Sequence, residues 1–166
     1  MEIIAALTGL IFQIGLTLGV GSSTFALIFY IQALRDGTID PSEKRLMHTV
    51  YTVLRIGMIL LGIGLLLTLL PGWGYFSPIY LMQWTLLGVI TLNAVLMTYH
   101  VMPMKYGPIL AGGSWYSLLL VTVLPLANSY LTLFVLYVLF VALFYFIYNY
   151  FRKRYAPTPQ APKPTQ

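Results

Sequence analysis

Arg55 lies within VYTVLRIGMILLGIGLLL, a stretch that holds no other charge. A guanidinium keeps its charge at any accessible pH and offers five N–H donors in a fork that fits an oxyanion. Placed in hydrocarbon it costs at least about 2.5 kcal/mol unless it faces a cavity, water or a ligand. The four acidic residues, Glu2, Asp36, Asp40 and Glu43, all sit at the ends of apolar stretches, so no carboxylate is at hand to offset it. The chemistry this suggests is the binding or passage of an ion or small anionic solute.

Counting along helices brings other polar groups to the level of Arg55. His48 precedes it by seven residues, which at 100° a residue returns to within about 20° of the same face and roughly 10 Å away along the axis. Asn93 stands in the same relation to His100 on the following apolar stretch. On two antiparallel helices the histidines would then share one level, and Arg55 and Asn93 a deeper one. Ser22, Ser23 and Thr24 in the first stretch, and Ser114 and Ser117 in the fourth, fall near that deeper level and complete a candidate polar layer. Serine and threonine in such helices commonly bond the preceding turn of their own backbone, so each alone reads as structural. In the anion reading Arg55 sets charge preference, Asn93 and the hydroxyls replace hydration, and the histidines at the inner mouth add a pH dependence.

Two alternatives use the same residues. His48 and His100 on facing helices could ligate one b-type haem, since histidine is a common axial ligand. The run MTYHVMPM places Met97, Met102 and Met104 around His100, and thioethers with imidazole suit a cuprous ion. Hydrolytic chemistry has no support: the chain carries no HExxH, no phosphate loop and no buried acid to serve as a base. It also has no cysteine, which removes disulfides and thiol chemistry.

The elements that must position these residues are apolar helices. The chain of 166 residues is 59% hydrophobic and 8% charged, against about a quarter charged in a soluble domain. A helix needs about 20 apolar residues to cross a bilayer, and five runs of that kind lie near 5–34, 46–70, 78–102, 108–127 and 130–150. The expectation is an all-α transmembrane bundle over 1–154 with a disordered, Pro-rich tail over 155–166. The first run lacks a basic leader and a small-residue cleavage site, and is read as retained in the mature chain. Asp40, Pro41 and Glu43 form a helix start of the capping-box type. Ser77 and Pro78 mark the start of the third helix, and Pro103 its end. The fourth, opening GPILAGGSWYS and closing before Pro125, reads as either a short tilted helix or a re-entrant one. Tyr137, Phe140, Phe144, Tyr148 and Phe151 follow a three-and-four spacing that gives one packing stripe on the fifth.

Arg35, Lys44, Arg45, Lys105 and Arg152, Lys153, Arg154 all fall on one side of such a bundle, and the 71–77 and 128–129 loops carry no Lys or Arg. The positive-inside rule gives N-terminus out and C-terminus in. Trp73, Tyr75, Phe76, Tyr80 and Trp84 suit an aromatic belt at the outer interface. The net charge of +5 belongs to these flanks and attracts anionic headgroups, whereas nucleic acid would need a basic face with stacking aromatics. Gly15 and Gly19, with Gly57, Gly62 and Gly64, permit close helix approach within the bundle or between copies of it.

The segments GVGSSTFALIFYIQALRDGTIDPSEKRLMHTV and GVITLNAVLMTYHVMPM, over roughly residues 10–105, resemble small uncharacterised prokaryotic membrane proteins and the bundle of copper-resistance D-type proteins. That resemblance implies a prokaryotic cytoplasmic (inner) membrane and adds weight to haem or copper as cofactor, without assigning a site residue. A bundle this small has little interior, so a homo-oligomer or a membrane-protein partner is expected. In the second case a carboxylate on the partner chain would meet Arg55.

Overall fold

The computed structural model describes residues 2–36, 41–69, 77–99, 101–102, 106–124 and 129–155. These form five helices: α1 (Glu2–Asp36), α2 (Pro41–Leu67), α3 (Pro78–Thr98), α4 (Gly107–Val123) and α5 (Tyr130–Tyr155), with no strand among the described residues. Helices α1, α2, α3 and α5 are long and apolar enough to cross a membrane. Their outer faces carry large apolar side chains such as Ile59, Leu92, Leu139 and Phe146, all exposed. A soluble protein rarely shows that much continuous apolar surface, and the chain is a membrane protein built as a helical bundle. The 70–76 loop with its aromatic residues, Asp40, His100, Pro103, Met104, Lys105, Pro125 and the tail from 156 onward lie outside the described residues.

Local signals explain most of the boundaries. Pro41 and Pro78 open their helices, where a missing N–H costs nothing. Ser77 stands at the N-cap of α3, yet its hydroxyl makes no capping bond and the backbone does the work, Leu81 N donating to Ser77 O at 3.0 Å. Helix α3 ends at Thr98, earlier than the apolar run suggested, because the backbone N–H groups of Val101 and Met102 both turn back to Leu96 O. Helix α4 ends at Val123 because Leu124 is extended, at φ −107° and ψ 131°. A residue before proline is pushed out of the helical region, and Leu124 precedes Pro125.

Packing centres on α4. Ten of its 17 residues are buried, and it touches α1, α3 and α5. Its glycines and serines are small because neighbours come close: Leu27 and Phe144 lie against Gly112, Val141 against Gly113, and the Trp115 ring against Gly19 of α1. At 1.5 Å a residue it is about 25 Å long, a full helix shorter than its neighbours. The aromatic stripe of α5 does pack inward at Tyr137 and Tyr148, with Phe144 5.5 Å from the Tyr116 ring and Tyr148 5.7 Å from Tyr30. Phe151 is exposed.

The tightest helix pair is α1 with α2. Their backbones meet at glycines: a Cβ at Gly15 would stand 2.5 Å from Leu61 N, one at Gly57 2.9 Å from Gly19 N, and one at Gly64 2.8 Å from Phe12 Cβ. No side chain can yield there, since most of these neighbours are backbone. By contrast α2 and α3, adjacent in sequence, are among the pairs that touch least.

Gly15→Leu is expected to destabilise the fold by about 2–3 kcal/mol, in the range of overpacked cores, read as a lowered midpoint of thermal unfolding in detergent. Gly21→Ala, where a Cβ meets nothing within 4 Å, should leave that midpoint unchanged. Equal effects of the two would show that the α1–α2 contact is not backbone-limited.

Candidate functional site

The gap between α2 and α3 is a cavity of about 450 Å³. Met47, Tyr51, Leu54 and Arg55 form one wall, and Ile90, Asn93, Ala94, Met97 and Thr98 the other. Ser23 and Ala26 of α1, with Gly107, Pro108, Ala111 and Trp115 of α4, close its back, and Met102 turns in from the segment after α3. These come from the C-terminal halves of α1 and α3, from the N-terminal half of α4 and from α2 between Met47 and its middle at Leu54 and Arg55. The helices therefore alternate in direction, and the cavity occupies one end of the bundle, the end where α2 starts with Lys44 and Arg45.

On α2 the wall residues follow steps of four, three and one, a helical face of i, i+4, i+7 and i+8 type. Arg55 lies at the edge of that face and is exposed at the rim. Its Nη2 donates across the opening to Thr98 Oγ1 at 3.4 Å, a long bond and its one hydrogen bond among the described residues. Thr98 in turn donates to Ala94 O at 2.8 Å. The long arginine stem thus lies along apolar wall while its head reaches the last turn of α3, where backbone carbonyls carry partial negative charge. Most of the guanidinium donors are left over.

Asn93 is only 4% exposed. Its Nδ2 donates to Gly107 O at 3.1 Å, tying α3 to the first turn of α4, while its Oδ1 is buried without a partner among the described residues. Trp115 is fully buried and its Nε1 is likewise unpartnered. The six-membered edge of its ring lies on Gly19, which turns the N–H edge away from α1. Unpaired polar atoms of this kind are uncommon in protein interiors, and two of them belong to residues lining one cavity.

Comparison with known proteins gives no further bearing. No family model, curated protein or solved structure matches this chain.

Of the residues singled out from sequence, Arg55, Asn93, Ser23, Met97 and Met102 line the cavity. Ser22 is buried but off it. Thr24 turns to α4, its Oγ1 2.7 Å from Tyr116 OH and 2.8 Å from Val20 O. Ser114 is 3.0 Å from Tyr137 OH, and Ser117 is buried with its Oγ unpartnered among the described residues. His48 is exposed and does not line the cavity. The drift of about 20° over seven residues carries it outside the wall, where Met47 and Tyr51 stand instead. His100 lies outside the described residues, so the described chain offers the cavity no histidine as an axial haem ligand. Met47, Met97 and Met102 do bring three thioethers to it, but a cuprous ion there would share the cavity with the Arg55 charge. No group of three or more His, Cys, Asp or Glu gathers among the described residues.

Sequence reasoning missed Tyr51, Thr98 and Trp115. Tyr51 was legible as Arg55 minus four. Thr98 and Trp115 belong to the cavity only because α3 unwinds after Thr98 and Gly19 admits the indole.

If Ser114 and Tyr137 serve each other, the cycle of Ser114→Ala and Tyr137→Phe should show a coupling of about 0.5–1.7 kcal/mol in unfolding measurements, the range for hydrogen bonds between membrane helices. Additive effects would free Ser114 for another role.

Proposed function

We propose that this protein binds, and passes, an anionic solute in an intramembrane cavity whose charge preference is set by Arg55. The observation that carries the reading is a guanidinium at the rim of a 450 Å³ cavity with one long hydrogen bond and no ion pair among the described residues. A cation in an apolar setting needs a counter-charge or water, and an oxyanion matches the unused donors of the fork. Asn93 and Trp115 extend the polar lining inward, and Ser23 borders it, its own proton given to Val20 O at 2.9 Å.

In this reading the five helices span a prokaryotic cytoplasmic membrane with the N-terminus out and the C-terminus in. The cavity then lies in the inner half of the bilayer, at the basic end, which draws anions toward it.

Arg55→Leu should lower anion uptake into liposomes by tenfold or more, roughly the worth of one charged hydrogen bond, while the thermal unfolding midpoint stays within a degree or two. The panel should run from chloride to medium-chain carboxylates. Uptake that is unchanged in the variant would remove Arg55 from any selective role.

A further inference from the structure

We propose that the occupant of this cavity is a single-chain amphiphilic carboxylate, entering sideways between α2 and α3 with its head on Arg55 and its chain along the apolar wall toward Trp115. This rests on the reading that the cavity binds anions and names the class of anion.

Three observations carry it. The first is the contrast between head and walls. Apart from Arg55, the walls are mainly aliphatic, with Leu54, Ile90, Ala94 and Ala111 among them. A small hydrated anion would give up its water to walls that offer only a few polar groups in exchange, Asn93 and Thr98 among them. An amphiphile leaves only its head beside the guanidinium and gains from burying the rest.

The second is the position of the opening. Helices α2 and α3 are among the pairs that touch least. Away from the cavity they are joined by Thr91 Oγ1 donating to Met58 Sδ at 3.5 Å and Tyr80 OH to Leu65 O at 2.9 Å. At the cavity mouth the Arg55–Thr98 contact at 3.4 Å reaches across, both residues being exposed. Neighbouring outer positions, Ile56 on α2 and Val95 on α3, are exposed and apolar. They belong to the lipid-facing surface, so the gap opens toward acyl chains. A head sliding along it meets Arg55 at the rim first.

The third is size and depth. A cavity of about 450 Å³ sits in the lower part of the roughly 300–1,000 Å³ that single ligands use, which suits one chain better than two. At its back the fully buried Trp115 lines the cavity, so a chain laid along the wall reaches its indole. The single guanidinium pairs two parallel N–H groups with the two oxygens of one carboxylate.

The test uses Trp115 as reporter. The chain has three tryptophans, and the Trp73→Phe, Trp84→Phe double variant leaves Trp115 alone in the full-length protein. In phosphatidylcholine nanodiscs at alkaline pH, its fluorescence is quenched with a chain-brominated octadecanoate, the matching brominated octadecanol and iodide. The carboxylate should quench at about a tenfold lower mole fraction than the alcohol, the worth of one charge-assisted pair. That preference should vanish in Arg55→Leu and persist in Arg55→Lys, with circular dichroism showing both variants helical. Carboxylate and alcohol quenching equally, with iodide quenching that depends on Arg55, overturns the amphiphile and leaves anion binding standing. Quenching by every probe that ignores Arg55 overturns both.

Discussion

Gly19 is the position on which the rest of the bundle depends, because two neighbours come up against it at once. On one side the backbone of α2 comes up to it at Gly57, where an added Cβ would stand 2.9 Å from Gly19 N. On the other, the Trp115 ring of α4 fills the place its own side chain would take. Helix α1 is thereby held between α2 and α4 at close range, with dispersion contacts between backbones in place of a hydrophobic force that lipid cannot supply. With α2 committed to α1, and α3 committed to α4, the faces of α2 and α3 are left apart at the end where α2 starts. The cavity follows from that separation.

The polar groups inside the bundle divide along the same lines. On α4, hydroxyls are satisfied across its contacts at Thr24 with Tyr116 and Ser114 with Tyr137, and beyond the cavity Tyr80 OH of α3 reaches the carbonyl of Leu65 on α2 at 2.9 Å. Where the helices part, donors and acceptors go unmatched, as at Arg55, Asn93 Oδ1 and Trp115 Nε1. The satisfied pairs tie helices together, and the unmatched groups of Arg55, Asn93 and Trp115 belong to residues that line one cavity.

Much of the helical layout was legible because its signals are local. Pro41 and Pro78 announce helix starts, Pro125 sets the end of α4 through Leu124, and a run of apolar residues declares its own length. The shared level of Arg55 and Asn93 also follows from counting at a fixed rise. What could not be counted was which face of each helix meets which neighbour. A shift of a few tens of degrees decided between His48 and Met47 on the cavity wall. Thr24 and Ser114 read as members of a polar layer until the tyrosines that bond them, Tyr116 and Tyr137, are brought beside them by helix packing. The glycine-rich opening of α4 looked like weakness in a span, whereas it reflects the number of neighbours pressing on it.

The central place of α4 has a consequence for how the chain is made. A ribosome delivers α1, α2 and α3 before α4, and α5 only afterwards. Among the described residues helices α1 and α3 do not touch each other, so it is α4 that joins them, and Trp115 can seat on Gly19 once α4 arrives. Its Ser114 hydroxyl has to wait for Tyr137. Helix α5, exposed over most of its length, comes last, so that the central helix is the fourth to be made and the most exposed one closes the bundle from outside.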